Sequence, residues 1–289
     1  MKIGKINRQS IGISGFTSVL ENYAGMPKEL FVAGTLPEHR IKAVAIIGSR
    51  KPTNYGKQVT HQLAYGLAKQ GIAIISGLAF GIDKIAHEAA LEAGGTTIAI
   101  MANGLHRVYP VAHEALAEQI IKNGGAIISE QELGVDAHKY HFLARNRIVS
   151  GLADAVIVTE ATHRSGTLST VGHALDQNKE VFAVPGPITS LLSVGPNKLI
   201  QQGAHVALSV QDVLDIIAPE TPRSQTQLSL GDTPLEVAII RHIQQGVASA
   251  DALINALSKE SPAEILQTLT LMELKGTLRV SAGVLHLGS

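Results

Sequence analysis

Six short apolar runs rich in β-branched residues recur between residues 41 and 217, and a longer amphipathic stretch follows each one. IKAVAIIG (41–48) precedes residues 55–70, IAIIS (72–76) precedes 81–93, and TTIAIM (96–101) precedes 110–123. GAIISE (125–130) then leads to a helical stretch around 145–152, DAVIVTE (154–160) to 167–178, and EVFAV (180–184) to 195–203. None of the runs alternates with period two, so each strand must be covered on both faces. That demands a parallel sheet with helices on either side. The expected fold class is therefore α/β: an extended Rossmann-like, doubly wound parallel sheet of six strands.

A chain of 289 residues has room for about two domains. Residues 1–40 read as a short N-terminal extension and 41–217 as the Rossmann-like domain. Residues 218–232 (APETPRSQTQLSLGD) have the composition of a linker. In 233–289, helices are expected over 235–245 and 250–257. Ser261, Pro262 and Glu264 form a capping box that opens a third helix through Lys275. Two strands follow, TLRVS and VLHLG, joined by a turn at Ala282-Gly283. That order predicts a small C-terminal winged helix, a fold that commonly reads DNA with its third helix. Here that helix carries Glu264 and Glu273, with Lys275 its one basic residue. A protein or dimer contact is the better expectation for it.

Composition removes whole classes of function. The absence of cysteine excludes a disulfide scaffold and a Cys-ligated zinc site. Basic and acidic residues number 24 each, and they are evenly spread: five against three over 1–40, fourteen against fourteen over 41–217, one against two over 218–232, and four against five over 233–289. No segment is a basic domain, so any polyanion site must be a local patch assembled by the fold. No apolar run approaches the roughly 18 residues of a membrane span. Lys2, Lys5 and Arg8 precede a stretch (11–20) that is interrupted by Ser, Gly and Thr. A cytoplasmic protein is expected.

Ligands of open α/β sheets collect beyond the carboxyl ends of the strands. The turns there are unusually alike: Gly48-Ser49-Arg50 after the first run, SGLAFG (76–81) after the second, Asn103-Gly104 after the third, Arg164-Ser165-Gly166-Thr167 after the fifth, and Pro185-Gly186 after the sixth. Glycine lets backbone approach a ligand, and Ser or Thr at a helix start with free N–H groups behind it cradles anions. A single such turn is ordinary βα geometry, but five together favour phosphate binding. Gly48 belongs to no GxGxxG and no GxxxxGK[ST] occurs, so neither a dinucleotide site nor a P-loop ATPase is supported.

On the same rim, HKYHFLARNR (138–147) is the densest basic and aromatic cluster of a chain that is only 3% aromatic. Lys139, Arg145 and Arg147 offer phosphate contacts, and Phe142 or Tyr140 a surface on which an unpaired base stacks. Equally, Phe142 fits a core position, and the arginines fit ion pairs with Glu130, Glu132 or Asp136. His138 and His141 have no carboxylate at partner spacing, so no metal is assigned. His87 reads as a packing residue, and no Ser-His-Asp order stands out. No cofactor and no catalytic residue is expected.

The motifs GSRKPTNYG, SGLAFGIDKIAHEAAL, GLHRVYP, ISE, FLARNRIVSGLADAVIVTEA, SGTL and AVPG occur in the order that characterises DNA-processing protein A, the Smf family. The chain resembles that family from about residue 27 to 218. The resemblance implies a non-enzymatic protein that binds single-stranded DNA, dimerises, and helps load RecA recombinase in natural transformation. Carried over residue by residue, it places an anion pocket at Gly48, Ser49, Arg50, Lys139, Phe142, Arg145, Asn146, Arg147, Ser165 and Gly166. Leu143 stands where many members have proline, which is expected to loosen the loop that aims Phe142. The 40 residues before Ile41 are fewer than a full helical N-terminal domain of the kind many members carry. An enzymatic alternative, the nucleoside-monophosphate phosphoribohydrolases, carries PGGxGTxxE. Here Thr170 occupies the glutamate position, and a hydroxyl cannot do that carboxylate's acid/base work. A small-nucleotide sensor using the same cradle is the third reading.

Overall fold

The computed structural model describes residues 6–10, 15–163, 165–219, 233–244, 247, 249–257, 260–274, 277–281 and 284–287. Most of the expected linker, Arg164, Lys275 and the Ala282-Gly283 turn lie outside the described residues. The chain divides into two compact units, 1–221 and 222–289.

In the first unit all six apolar runs form strands: β3 (Ala43–Ile47), β4 (Ala73–Ser76), β5 (Thr97–Ile100), β6 (Ala126–Ser129), β7 (Ala155–Val158) and β8 (Glu180–Ala183). The amphipathic stretches form α1 (Asn54–Lys69), α2 (Ile82–Glu92), α3 (Glu114–Lys122), α4 (Lys139–Leu152), α5 (Thr167–Asp176) and α6 (Val194–Gln201). Three more strands, β1 (Ile6–Ser10), β2 (Glu29–Gly34) and β9 (His205–Val206), two 3-10 helices (Phe16–Asn22 and Val111–His113) and α7 (Val210–Ile217) complete the described elements. The sheet thus has nine strands among the described residues, in the order β1-β2-β6-β5-β4-β3-β7-β8-β9. The expectation of six fell short at both edges. β1 and β2 join antiparallel, without a crossover helix to announce them, and β9 has only two residues.

All pairings from β6 to β9 are parallel. The reason is visible in β3, where alternate residues enter different cores. Ala45 and Ile47 pack with Leu20, Ile148 and Leu152, while Val44 and Ile46 pack with Leu63, Leu67 and Ile82. Each such buried Leu or Ile contributes roughly 1.5–3 kcal/mol. From β3 and β7 the strand order runs outward in opposite directions. The crevice between their carboxyl ends is the switch point at which open α/β sheets bind ligands. No helix among the described residues is long and apolar enough to cross a membrane.

The second unit holds α8 (Pro234–Gln244), α9 (Ala250–Ala256), α10 (Pro262–Leu274) and an antiparallel hairpin of β10 (Leu278–Ser281) and β11 (Val284–Leu287). Its core gathers Ile239, Ile240, Leu253, Ile265, Leu269, Met272, Leu278 and Leu285. Glu264 closes the expected cap: the Ser261 Oγ and N–H both donate to its carboxylate, and its own N–H donates to Ser261 Oγ.

Candidate nucleic-acid interface

Hydrogen bonds draw the turns after β3 and β7 together with α4. The Ser49 N–H donates to the Glu160 carbonyl (2.7 Å), Thr167 Oγ1 donates to the Gly48 carbonyl (3.3 Å), and Asn146 Nδ2 donates to the Gly166 carbonyl (3.3 Å). Ser165 Oγ accepts the Thr167 N–H (3.2 Å) and so shapes the entry to α5. These ties frame an open cavity of about 610 Å³ at the switch point.

Its lining includes Gly48, Arg50, Lys139, Phe142, Arg145, Asn146, Ser165 and Gly166, all expected from the sequence. On α4, Lys139, Phe142, Leu143, Asn146 and Val149 follow one another at spacings of three, one, three and three residues and share a face turned to the cavity. Leu143 therefore does not loosen a loop: both it and Phe142 lie inside a regular helix, which aims the ring. His138 is the N-cap of that helix, and its N–H donates to His141 Nδ1 (3.3 Å); the histidine pair caps a helix.

Phe142 is half-buried in the cavity wall and belongs to none of the apolar cores. The Arg50 guanidinium lies over its ring, 5.6 Å from the centroid. Arg50 and Lys139 are exposed, the arrangement that phosphate contacts require.

The two arginines of the RNR motif bond to the protein itself. Arg145 is buried and donates to the carbonyls of Gly77 and Ile100, thereby clamping the ends of β4 and β5. A Cβ at position 77 would collide with its guanidinium, so a larger residue there would have to displace the clamp. Burial pushes the Arg145 pKa down to about 10, against the pull of the Asp83 carboxylate. Asp83 is itself raised by burial, while Arg145 and the N–H groups of Ala79 and Gly77 lower it. Arg145 remains a cation at neutral pH, and its charge opposes the upward push of burial on Asp83. Arg147 does not line the cavity. It meets Glu130 through two bonds (2.7 and 3.0 Å) and donates Nε to the Gly25 carbonyl (3.0 Å). Ser49 is likewise absent from the lining and serves as a strand tie.

Sequence reasoning passed over Asp83, Tyr109 and Thr170 as lining residues. Asp83 opens α2 directly behind the SGLAFG turn, and that position was the available signal. The turns at Asn103-Gly104 and Pro185-Gly186 contribute nothing to the lining. His87 is buried, bonded through Nδ1 to Thr97 Oγ1 (2.7 Å), and held neutral by burial with its pKa at about 3.

Residues 10–218 match the family described as DNA recombination-mediator protein A. The chain belongs to this family. Its relatives include Protein Smf of Escherichia coli, 44% identical over 189 residues. That match takes in 65% of this chain but only half of the relative's length. The solved structure of DNA processing protein A (DprA) from Streptococcus pneumoniae is similar with a TM-score of 0.69 at 40% identity, over 74% of this chain and 75% of the other. DNA processing protein A from Helicobacter pylori, whose structure is described by its single-stranded DNA binding mode, gives a TM-score of 0.65 at 34% identity, over 74% and 97% of the two chains. Within this DNA recombination-mediator family, the present member has the mostly parallel α/β sheet with the cavity at its switch point.

Proposed function

We propose that the cavity binds single-stranded DNA without sequence preference and catalyses no reaction on it. The observation that carries this reading is the Phe142 ring in the cavity wall, with Arg50 over it and Lys139 on the same helical face. A stacking surface beside solvent-accessible cations is how proteins hold unpaired strands. Paired bases keep their faces covered by their neighbours, so duplex is a poor ligand. Asp83, a carboxylate of the lining, accepts two backbone N–H groups and feels the charge of Arg145, which leaves it unsuited to act as a general base. The Helicobacter pylori relative supports the same ligand class.

In the cell, this reading makes the protein a cytoplasmic homodimer that protects incoming DNA and loads RecA recombinase during natural transformation; the family's description as a recombination mediator supports that role. The second unit is read as a winged helix that meets protein, because Glu264, Leu266, Leu271 and Glu273 are exposed along α10. Fluorescence anisotropy with labelled single-stranded and blunt duplex oligonucleotides across a salt series tests the proposal, with mononucleotides as competitors. Tight, salt-sensitive binding of the single strand alone is the expected result. Equal affinity for both forms, or displacement by mononucleotides at comparable concentration, would overturn it.

A further inference from the structure

We infer that Tyr109 is a second base-stacking surface, and that Tyr109 and Phe142 hold two consecutive bases of a single strand apart from each other. This rests on the single-strand reading above. Phe142 is carried by α4 and Tyr109 by the loop between β5 and α3. Both line the cavity, and Tyr109 is 45% exposed, a large apolar surface left open at its mouth. Polar ties beside the ring hold that loop in place. Asn103 Nδ2 donates to the carbonyls of Gly104 and Arg107 (both 3.0 Å), Arg107 pairs with Asp136 (2.7 Å), and His113 Nδ1 donates to the Leu78 carbonyl (2.8 Å). Tyr109 is thus positioned in advance of any ligand.

The two ring centroids are 5.6 Å apart and their planes are inclined by 57°. Bases stacked on one another are parallel, so two mutually stacked bases cannot both lie flat on rings inclined in this way. A single base sandwiched between the rings would require the rings to be parallel. The arrangement that satisfies both surfaces is one base on each ring, with the step between them opened. Arg50 covers one face of Phe142, which restricts the base there to the other face and leaves the guanidinium beside the backbone that joins the two nucleotides.

The test compares wild type with Tyr109→Ala, Tyr109→Leu, Tyr109→Phe, Phe142→Ala and the Tyr109→Ala/Phe142→Ala double variant. The readout is anisotropy on single-stranded oligothymidylate, with thermal midpoints confirming the fold. Tyr109→Ala, Tyr109→Leu and Phe142→Ala should each weaken binding about 5- to 160-fold without changing the salt dependence, and Tyr109→Phe should bind as wild type does. The double variant should lose the product of the two single effects. In a strand containing adjacent 2-aminopurines, the exciton-coupled circular dichroism that reports base-on-base stacking should disappear on binding. Wild-type affinity in Tyr109→Ala and Tyr109→Leu, a double variant no weaker than one single variant, or a retained exciton signal each overturns the inference. If the wild type itself fails to bind the strand, the proposed function falls with it; if wild type binds and Tyr109→Ala is unaffected, only this inference falls.

Discussion

Replacing Arg145 with methionine should damage the fold far more than it damages DNA affinity per folded molecule. The guanidinium is buried, bonds two strand-end carbonyls and opposes the upward push of burial on Asp83. Leaving two buried carbonyls without their donor, at about 1–3 kcal/mol each, and removing the positive charge whose field reaches Asp83 together cost about 3–5 kcal/mol. Asp83, already raised by burial, loses the opposing cation and is raised further. For a unit of about 200 residues this corresponds to a fall of about 6–20 °C in midpoint. All five tyrosines lie in the first unit and the chain has no tryptophan, so tyrosine fluorescence during guanidinium denaturation follows that unit alone. Adding Asp83→Asn to Arg145→Met should recover part of the stability, a coupling that double-mutant cycles measure directly. A loss below about 1 kcal/mol, accompanied by a salt dependence flattened by about one log-log unit, would refute the clamp and make Arg145 a phosphate contact.

Arg50→Ala should weaken single-strand binding for every sequence and flatten the log-log salt slope by about one unit or less, whereas Phe142→Ala should cost about 1–3 kcal/mol of affinity at an unchanged slope. Arg147→Ala should leave the slope alone, since its partner is Glu130; a slope change in titrations of this variant would return Arg147 to the interface. Burial lowers the Lys179 pKa to about 8, so between about pH 8 and the ordinary lysine value the unfolded chain holds more protons and stability rises with pH. Lys179→Met should remove that rise from the denaturation profile, and an identical rise in the variant would show that another group causes it. Deleting residues 222–289 should leave single-strand affinity nearly intact; a tenfold loss with unchanged light scattering would show that the second unit touches DNA.

The interior strands were legible because burial on both faces of a parallel sheet forces continuous apolar runs, and β3 to β8 fall on those runs. The edges were not. β2 pairs with β6, about a hundred residues away, and no periodicity within 29–34 records that partner. The rim was legible as a set of turns, but which turns converge depends on strand order, so Asn103-Gly104 and Pro185-Gly186 were indistinguishable from the turns that line the cavity. Helix geometry held one unused signal. Residues two apart on a helix point about 200° apart, so Arg145 and Arg147 could not both face one cavity. That Arg145 lies beneath the cavity and bonds the carbonyls of Gly77 and Ile100 depends on how the ends of β4 and β5 meet α4.

The central claim is that the cavity at the switch point is where the unpaired strand lies. Photo-cross-linking with a single-stranded oligonucleotide carrying 5-iodouracil, followed by mass spectrometric mapping, tests it directly, because the probe attaches to the aromatic rings on which it stacks. Adducts should map to Phe142 and Tyr109, and unlabelled single strand, but not duplex, should suppress them. Adducts confined to residues 233–289, or an unchanged yield in Phe142→Ala, would contradict the account.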